Sequence, residues 1–480
     1  MLVQFLKKYL LNKKIFTSIF FLSLLPLFFY RLGEGSLFSF DEAWYADIAR
    51  NLIESKNPFL LQWNGVPFLD HPPLGFWLMA ISFRIFGVNE FSARFFSALF
   101  GWGAVMLTYL LGKKLFKTSV GLLAGLMLST SVWFILRART GNLDVILVFF
   151  FLLVFYCASQ IKTNKLYLYG TMLSMALLWQ VKAIVGITIL PIVLFFIIKY
   201  KKYFKIKDLI FSIILLILVF SPYLIINFFS YGDSFWKRLL NIGLRGRDSS
   251  VLIHYQLPLF YLHMGIREWY YPFLIAFLGN IFFLKRNGII VLYLYLLAFF
   301  LPFLTSSKTE IWHLLPLYPI VGIMIFSFLD NVRLWLIKIV NINNLRLKNT
   351  SIFLMLLGGM LFAGKQILEF KEEIYHSKKT SSSEAKISQI ASLYTEPLYI
   401  TEHYYPEAVF YSKKIIKIIN PSMQFLDKQN LSLRNLFNSG ENFILLTTES
   451  ALSDNKIKKD EYQLITKEGN NILIKKSYLR

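Results

Sequence analysis

Two acid-rich stretches follow the first apolar segment: Phe40-Asp41-Glu42-Ala43-Trp44-Tyr45-Ala46-Asp47 and Asp70-His71-Pro72-Pro73. Carboxylates are costly beside a membrane, so acids where an apolar segment ends point to chemistry rather than packing. A carboxylate placed there can take a proton from a weakly acidic hydroxyl. Other charged residues recur at segment ends. Asp144 follows Arg137, Arg139 and Asn142; Lys182 interrupts Trp179-Gln180-Val181-Lys182-Ala183; Lys308, Glu310 and His313 precede Leu315-Pro316-Leu317-Tyr318-Pro319. A long segment after Phe229 adds Lys237, Arg238, Arg245, Arg247, His254 and Arg267. Acids and bases in this pattern suit a site for a lipid-linked phosphate, with a carboxylate as base and cations to hold the phosphate.

The elements that must position these residues are membrane helices. The 480-residue chain is 56% hydrophobic and only 16% charged, which excludes an ordinary soluble enzyme. Its mean hydropathy of +0.53 agrees, as do 48 Phe and 26 Tyr, residues suited to lipid-facing surfaces and interfacial belts. The formal charge of +23 sits largely in short links between apolar runs, where the positive-inside rule puts Lys and Arg. No aromatic-basic RNA-binding motif accompanies it, so nucleic acid is not an expected partner. The single Cys, Cys157, lies in an apolar run and has no partner for an intramolecular disulfide.

Eleven apolar runs are candidate spans: Ile15–Tyr30, Phe91–Leu111, Ser119–Leu136, Leu143–Ala158, Leu166–Leu178, Ile184–Ile198, Leu209–Phe229, Pro272–Leu284, Ile289–Leu304, Leu314–Leu329 and Ile352–Leu368. A further run, Leu74–Phe86, is short and ends near Arg84, and reads as a helix along the membrane surface. With that choice the basic links Lys113–Lys117, Lys162–Lys165, Lys199–Lys207, Lys285–Arg286 and Arg333–Lys348 share one side, the cytoplasmic one, with the N-terminus. The first outer loop (31–73), the long outer loop (230–271) and the tail then face out. No small-x-small pattern follows the first segment, which reads as an uncleaved helix.

Phe40-Asp41-Glu42-Ala43-Trp44-Tyr45-Ala46 and His71-Pro72-Pro73-Leu74-Gly75-Phe76-Trp77-Leu78 resemble the first-loop signature of GT-C glycosyltransferases, nearest to the protein O-mannosyltransferase and aminoarabinose-transferase (ArnT-like) branch. Leu143-Asp144 after an arginine-rich turn is similar to that family's second acidic motif. Ser307-Lys308 followed by Leu315-Pro316-Leu317-Tyr318-Pro319 is similar to its later Lys and Leu-Pro-x-Tyr-Pro motif. The resemblance covers the first three quarters of the chain. It implies an all-α polytopic membrane domain of GT-C type over 1–370, with about 11 transmembrane helices, and transfer of a sugar from a polyprenyl-phosphate donor to a hydroxyl on the outer face of the cell membrane, with inversion. Asp41 would be the catalytic base, with Glu42 and Asp144 beside it. Lys182, Lys308, Arg245 and Arg247 would hold the donor phosphate, and His71, Tyr45, His313 and Tyr404 would touch acceptor or sugar. The acceptor could be carried by lipid, glycan or protein.

Each residue also has a plainer reading. Asp41 could cap a helix, Glu42 and Asp144 could be structural ion-pair partners, and Asp47 and Asp70 read as solvated or capping residues. Lys182 and Lys308 could snorkel at the interface. His71 stands where related aminoarabinose transferases tend to show Lys, which leaves the sugar open. Asp70, His71 and Glu42 lack metal-ligand spacing; no cofactor is assigned, a divalent cation being the one left open. Two other functions use similar lipids. A flippase would need polar residues through the spans or inverted repeats, and neither is evident; an O-antigen-type ligase or polymerase fits the paired acids of the first loop less well.

From Lys371 the chain changes character. Leu398–Thr401, Phe443–Thr448, Gln463–Thr466 and Asn471–Lys475 predict strands, and Glu384–Leu393 and Pro406–Ser412 predict helices, giving a small soluble α/β domain over 371–480 on the outer face.

Overall fold

The computed structural model describes residues 13–37, 40–244, 256–285, 287–305, 309–341, 344–375, 381–401, 406–419 and 432–477. They fall into two compact units. The first comprises Met1–Leu32, Leu69–Gly75 and Arg94–Ser377; the second comprises Gly33–Phe68, Phe76–Ala93 and Lys378–Arg480.

The first unit is helical. Five helices among the described residues are long and apolar enough to cross a membrane: Glu90–Leu115 (from Arg94 on in this unit), Ala183–Tyr203, Ile206–Tyr231, Ile311–Ile339 and Leu347–Tyr375. A sixth results if Thr118–Thr130 and Val132–Ala138, bent by 68°, count as one span. The remaining apolar runs form shorter helices, such as Asp144–Gln160 and Leu166–Val181, so length alone supports fewer crossings than the eleven expected.

Sequence pattern accounts for how these helices pack. In Ile206–Tyr231 the buried residues are Asp208, Ser212, Leu216, Tyr223 and Asn227, a stripe at helical spacing. Phe211, Leu218, Ile225 and Phe229 on other faces are exposed, as suits lipid contact. Acids among the basic links are paired: Lys165 donates to Asp208 at 3.0 Å, and Lys117 and Arg333 both pair with Asp330. Arg139 donates to the Phe28 and Tyr30 carbonyls at 3.1 and 2.7 Å, satisfying the C-terminal end of the Leu25–Phe29 helix.

The second unit is built on a mixed sheet. Strands β1 (Gln62–Trp63) and β2 (Val66–Pro67) form a hairpin turned by Asn64-Gly65, both at positive φ. Strands β3 (Leu398–Thr401), β4 (Ile416–Ile419), β5 (Ile444–Thr448), β6 (Tyr462–Glu468) and β7 (Asn471–Lys476) form a five-stranded sheet in the order β4-β3-β5-β7-β6. β3 runs parallel to both β4 and β5, and β7 runs antiparallel to β5 and β6. All four residues of β3 are buried, as expected of a parallel strand covered on both faces. One core gathers Tyr399, Leu445, Ile472 and Ile474 from the sheet with Leu436 and Phe437 of the Leu433–Asn438 helix. Asn64 closes the β4 edge: its side chain donates to the Ile416 carbonyl at 2.9 Å and accepts from the Ile416 N–H at 2.7 Å, as a paired strand would.

Residues 40–54, expected within a loop, form a helix, Phe40–Glu54, that packs on the Pro406–Ser412 helix. Asp47 is not solvated. It is 1% exposed and accepts from Arg50 and from Asn51, the latter at 3.1 Å. Arg50 in turn donates to the Phe410 carbonyl at 2.6 Å, tying the two helices together. The Ile416–Ile419 strand was not anticipated, because its lysine-rich surroundings hide a four-residue run.

Glu407, in the first turn of Pro406–Ser412, is buried. Burial pushes its carboxyl from the usual 4.5 up to about 7, and Glu384 and Glu42 add to the push. The folded chain therefore holds a proton there that the unfolded chain releases above pH 4.5, so this group's contribution to stability falls as pH rises toward about 7 and then levels. Glu407→Gln should remove that slope and raise stability at pH 8 more than at pH 5, as measured by hydrogen exchange of the Pro406–Ser412 amides.

Candidate functional site

The site lies in the first unit and is assembled from chain breaks. The turn at residues 69–75 carries Asp70 and His71. At Gly75 a Cβ would come within 2.1 Å of Leu143 Cδ2, so the lack of a side chain lets this turn lie against the residue before Asp144. Asp144 opens the Asp144–Gln160 helix, where its negative charge is favoured by the helix dipole. Its N–H donates to Asn142 Oδ1 at 2.9 Å, and Asn142 Nδ2 donates back to the Thr140 carbonyl at 3.1 Å. Ser97 Oγ also holds this turn, donating to the Asn142 carbonyl at 2.9 Å.

Lys182 stands where a helix is interrupted. It has extended backbone (φ −145°, ψ 96°) between Leu166–Val181 and Ala183–Gly186, and its Nζ donates to Asp144 Oδ1 at 2.7 Å. Its ammonium thus points to a partner inside the unit rather than snorkelling. Arg137 donates to Asp144 Oδ2, through Nε at 3.0 Å and through Nη2, and its guanidinium lies over the Trp312 ring at 5.2 Å. On the other side Arg238 grips Asp70 with both Nε and Nη2, the latter at 2.9 Å. Asp70 is therefore an ion-pair anchor rather than a solvated acid.

Two histidines flank these pairs. Burial, and next the charge of Lys182, push His71 down to about 3, so it is neutral at pH 7. His313 Nδ1 accepts the Glu310 N–H at 3.2 Å, and its ring stacks on Phe303. A cavity of about 620 Å³ joins this polar end, formed by Asp70, His71, Asp144, Lys182, Trp312 and His313, to an apolar wall that includes Ile184, Ile187, Leu190, Pro191 and Phe303. Leu239 and Ile242 of the Asp233–Leu244 helix complete the wall. Three cations, Arg137, Lys182 and Arg238, face two carboxylates, Asp70 and Asp144. With neutral imidazoles the cluster carries one net positive charge, which suits an anionic headgroup on an apolar tail.

Of the residues expected to act, Asp144, Lys182, His71 and His313 come together here. Asp41, Glu42 and Tyr45 belong to the second unit, on the Phe40–Glu54 helix. Asp41 is half-buried and Glu42 is fully buried in its first turn. Tyr45 is buried and packed among rings, edge-on to Phe76 at 5.3 Å. Lys308, Arg245, Arg247 and Tyr404 lie outside the described residues. Arg137, Asp70, Arg238 and Trp312 were not singled out as site residues. The signal for Arg238 was present in the polar face of an amphipathic segment, Asp233–Leu244. Among the described residues no group of three or more His, Cys, Asp or Glu could hold a metal ion.

Residues 70–226 match the family described as dolichyl-phosphate-mannose-protein mannosyltransferase. The structure of ArnT from Cupriavidus metallidurans bound to undecaprenyl phosphate superposes with a TM-score of 0.77 over 97% of this chain and 98% of that one, at 16% identity. An uncharacterized protein of Aquifex aeolicus is 37% identical over 150 residues, 30% of each chain. The undecaprenyl phosphate-alpha-4-amino-4-deoxy-L-arabinose arabinosyl transferase of Wigglesworthia glossinidia brevipalpis is 31% identical over 162 residues, 32% of this chain and 28% of that one. The chain thus matches less than a third of the length of either relative. The fold is that of the GT-C membrane glycosyltransferases. Within that fold, residues 70–226, about a third of the chain, are similar to the protein-mannosyltransferase family, and 162 residues are similar to an ArnT-type arabinosyl transferase.

The close approach at Gly75 gives a direct test. Gly75→Ala should cost about 1–3 kcal/mol by overpacking against Leu143. Gly358→Ala, where nothing lies within 4 Å, should be neutral or stabilising by up to about 1 kcal/mol. Thermal unfolding of the two variants in detergent would separate them.

Proposed function

We propose that the chain is an integral membrane glycosyltransferase that moves a sugar from a polyprenyl-phosphate donor to a hydroxyl acceptor on the outer face of the cell membrane. The observation that carries this reading is the cavity whose polar end, with Lys182 on Asp144, adjoins an apolar wall. The arabinosyl transferase and the ArnT structure, with undecaprenyl phosphate, and the matched family, with dolichyl phosphate, support the same donor class. The donor phosphate would be held by Lys182 and Arg137, with the prenyl chain along Ile184, Ile187, Leu190 and Pro191. Asp144 then acts through its partners, presenting both cations to the phosphate, and is a positioning residue.

In the reaction the acceptor oxygen attacks the anomeric carbon from the face opposite the phosphate. The carbon–oxygen bond to the phosphate breaks as the new glycosidic bond forms, and configuration inverts. The bonding pair leaves with the polyprenyl phosphate, whose growing charge Lys182 and Arg137 stabilise. Asp41 takes the acceptor proton, because a sugar or alcohol hydroxyl is too weak an acid to ionise at pH 7. Glu42 positions the base or the acceptor, and the His71 and His313 imidazoles touch the sugar. The acceptor hydroxyl is one carried by lipid, glycan or protein.

The test is turnover by the purified chain in lipid nanodiscs given polyprenyl-phosphate sugars and candidate acceptors. Asp41→Asn should lower kcat about 10²–10⁴-fold with donor binding kept. Lys182→Ala should weaken donor binding about tenfold or more. Full turnover by Asp41→Asn would remove the proposed base.

A further inference from the structure

We infer that the end of the first unit away from the cavity carries a second anion site, formed by Lys114, Lys162 and Lys199, for the phosphate of an anionic phospholipid headgroup. Three helices bring these lysines together. A Cβ on Gly103 would lie 2.8 Å from Phe149 Cε2, and the Phe100 and Phe149 rings meet at 4.7 Å, so Glu90–Leu115 and Asp144–Gln160 pack side by side. Further along the same two helices, at their C-terminal ends, Lys114 Nζ donates to Gln160 Oε1 at 2.6 Å. Phe155 meets Phe196 of Leu190–Tyr200 at 6.0 Å, which sets a third C-terminal end, with Lys199 in its last turn, beside the other two. Lys162 stands in the turn after Gln160, and its charge acts on both Lys114 and Lys199. Asp144, on the cavity, opens the helix that Gln160 closes, so the two sites are about 24 Å apart, close to the depth of a bilayer's hydrocarbon core.

Positive charge at helix C-termini has an ordinary cause, since each such end carries about −0.5 elementary charge. Three ends therefore offset only about half of three ammonium charges. A phosphodiester, with its single negative charge and two free oxygens, cancels most of the excess and accepts from several ammoniums at once. The groups that the lysines already touch are neutral: Lys114 donates to an amide carbonyl, and Lys199 lies over the Phe195 and Tyr200 rings at 5.2 and 5.9 Å. Asp208, the acid in the first turn of Ile206–Tyr231, is held elsewhere, by Lys165 at 3.0 Å and by the Lys205 N–H at 2.9 Å. What borders the lysines points to a lipid rather than a free anion. Leu194 and Ile198 are exposed on one face of the helix that carries Lys199, spaced to line an acyl chain beneath a headgroup held at its end. This site is separate from the cavity and does not depend on the sugar-transfer reading.

The experiment titrates the purified full chain in detergent with phosphatidylglycerol, phosphatidylcholine or inorganic phosphate, and counts bound lipid by native mass spectrometry. Phosphatidylglycerol should bind at least about tenfold more tightly than zwitterionic phosphatidylcholine. The triple variant Lys114→Gln, Lys162→Gln, Lys199→Gln should lose that preference, and the same three positions changed to Arg, which keeps the charge, should retain it. A second triple, Lys285→Gln, Lys338→Gln, Lys348→Gln, removes equal charge from other links and should keep the preference. Equal binding of the two lipids by the native chain, or equal loss in both Gln triples, would overturn the site. Inorganic phosphate displacing the lipid at equal concentration would replace the lipid with a free anion and overturn the inference as stated. Loss of the preference in Lys182→Ala, with the first triple unaffected, would move the lipid to the cavity and overturn it as well, while leaving the reading of the cavity intact.

Discussion

The site depends on one carboxylate held between two cations. Asp144 accepts from Lys182 on one oxygen and from Arg137 on the other. Each of the three comes from a different break in helical structure: Arg137 from the last turn of Val132–Ala138, Asp144 from the start of its own helix, and Lys182 from an extended residue between two helices. Charges buried among apolar helices are tolerable only when paired and hydrogen-bonded, so the pairing and the breaks require each other. Removing the central acid would leave two cations facing one another. Keeping it holds Lys182 at the polar end of the cavity, with Arg137 behind it on the same carboxylate.

The same economy governs the second anchor. Asp70 and Arg238 join the turn that carries His71 to the amphipathic helix that supplies Leu239 and Ile242 to the cavity wall. One ion pair therefore sets both a polar and an apolar boundary of the pocket. In the second unit a comparable role falls to Asp47 and Arg50, which join the Phe40–Glu54 helix to Pro406–Ser412. The helix bearing Asp41 and Glu42 is thus fixed by a buried pair rather than left as an exposed loop, as the role proposed for Asp41 would require.

Much of this was legible in the sequence. Apolar runs located the helices, because burial and lipid contact both demand them. Period-two and short apolar runs located β3, β5, β6 and β7 and the Pro406–Ser412 helix. Asp144, Lys182, His71 and His313 were marked by being polar where apolar segments end. What the residues hid was partnership. Asp47 and Asp70 read as solvated acids because their arginines are set by folding: Arg50 lies one helical turn from Asp47, and Arg238 lies 168 positions from Asp70. The number of crossings was also harder to read, since several apolar runs form helices of fewer than 18 residues, extended at their ends by 3₁₀ turns such as Ile281–Phe283 and Leu301–Thr305.

The central claim is that this cavity holds a prenyl chain with its phosphate at Lys182. The most direct measurement is photo-crosslinking with a polyprenyl phosphate that carries a diazirine on its first isoprene unit, followed by peptide mapping of the labelled full chain. The account predicts labelling on residues 184–191 and on Leu239 or Ile242, suppressed by excess unlabelled polyprenyl phosphate. Saturable labelling confined instead to the lipid-facing residues of Ile206–Tyr231, such as Phe211 and Leu218, would contradict it.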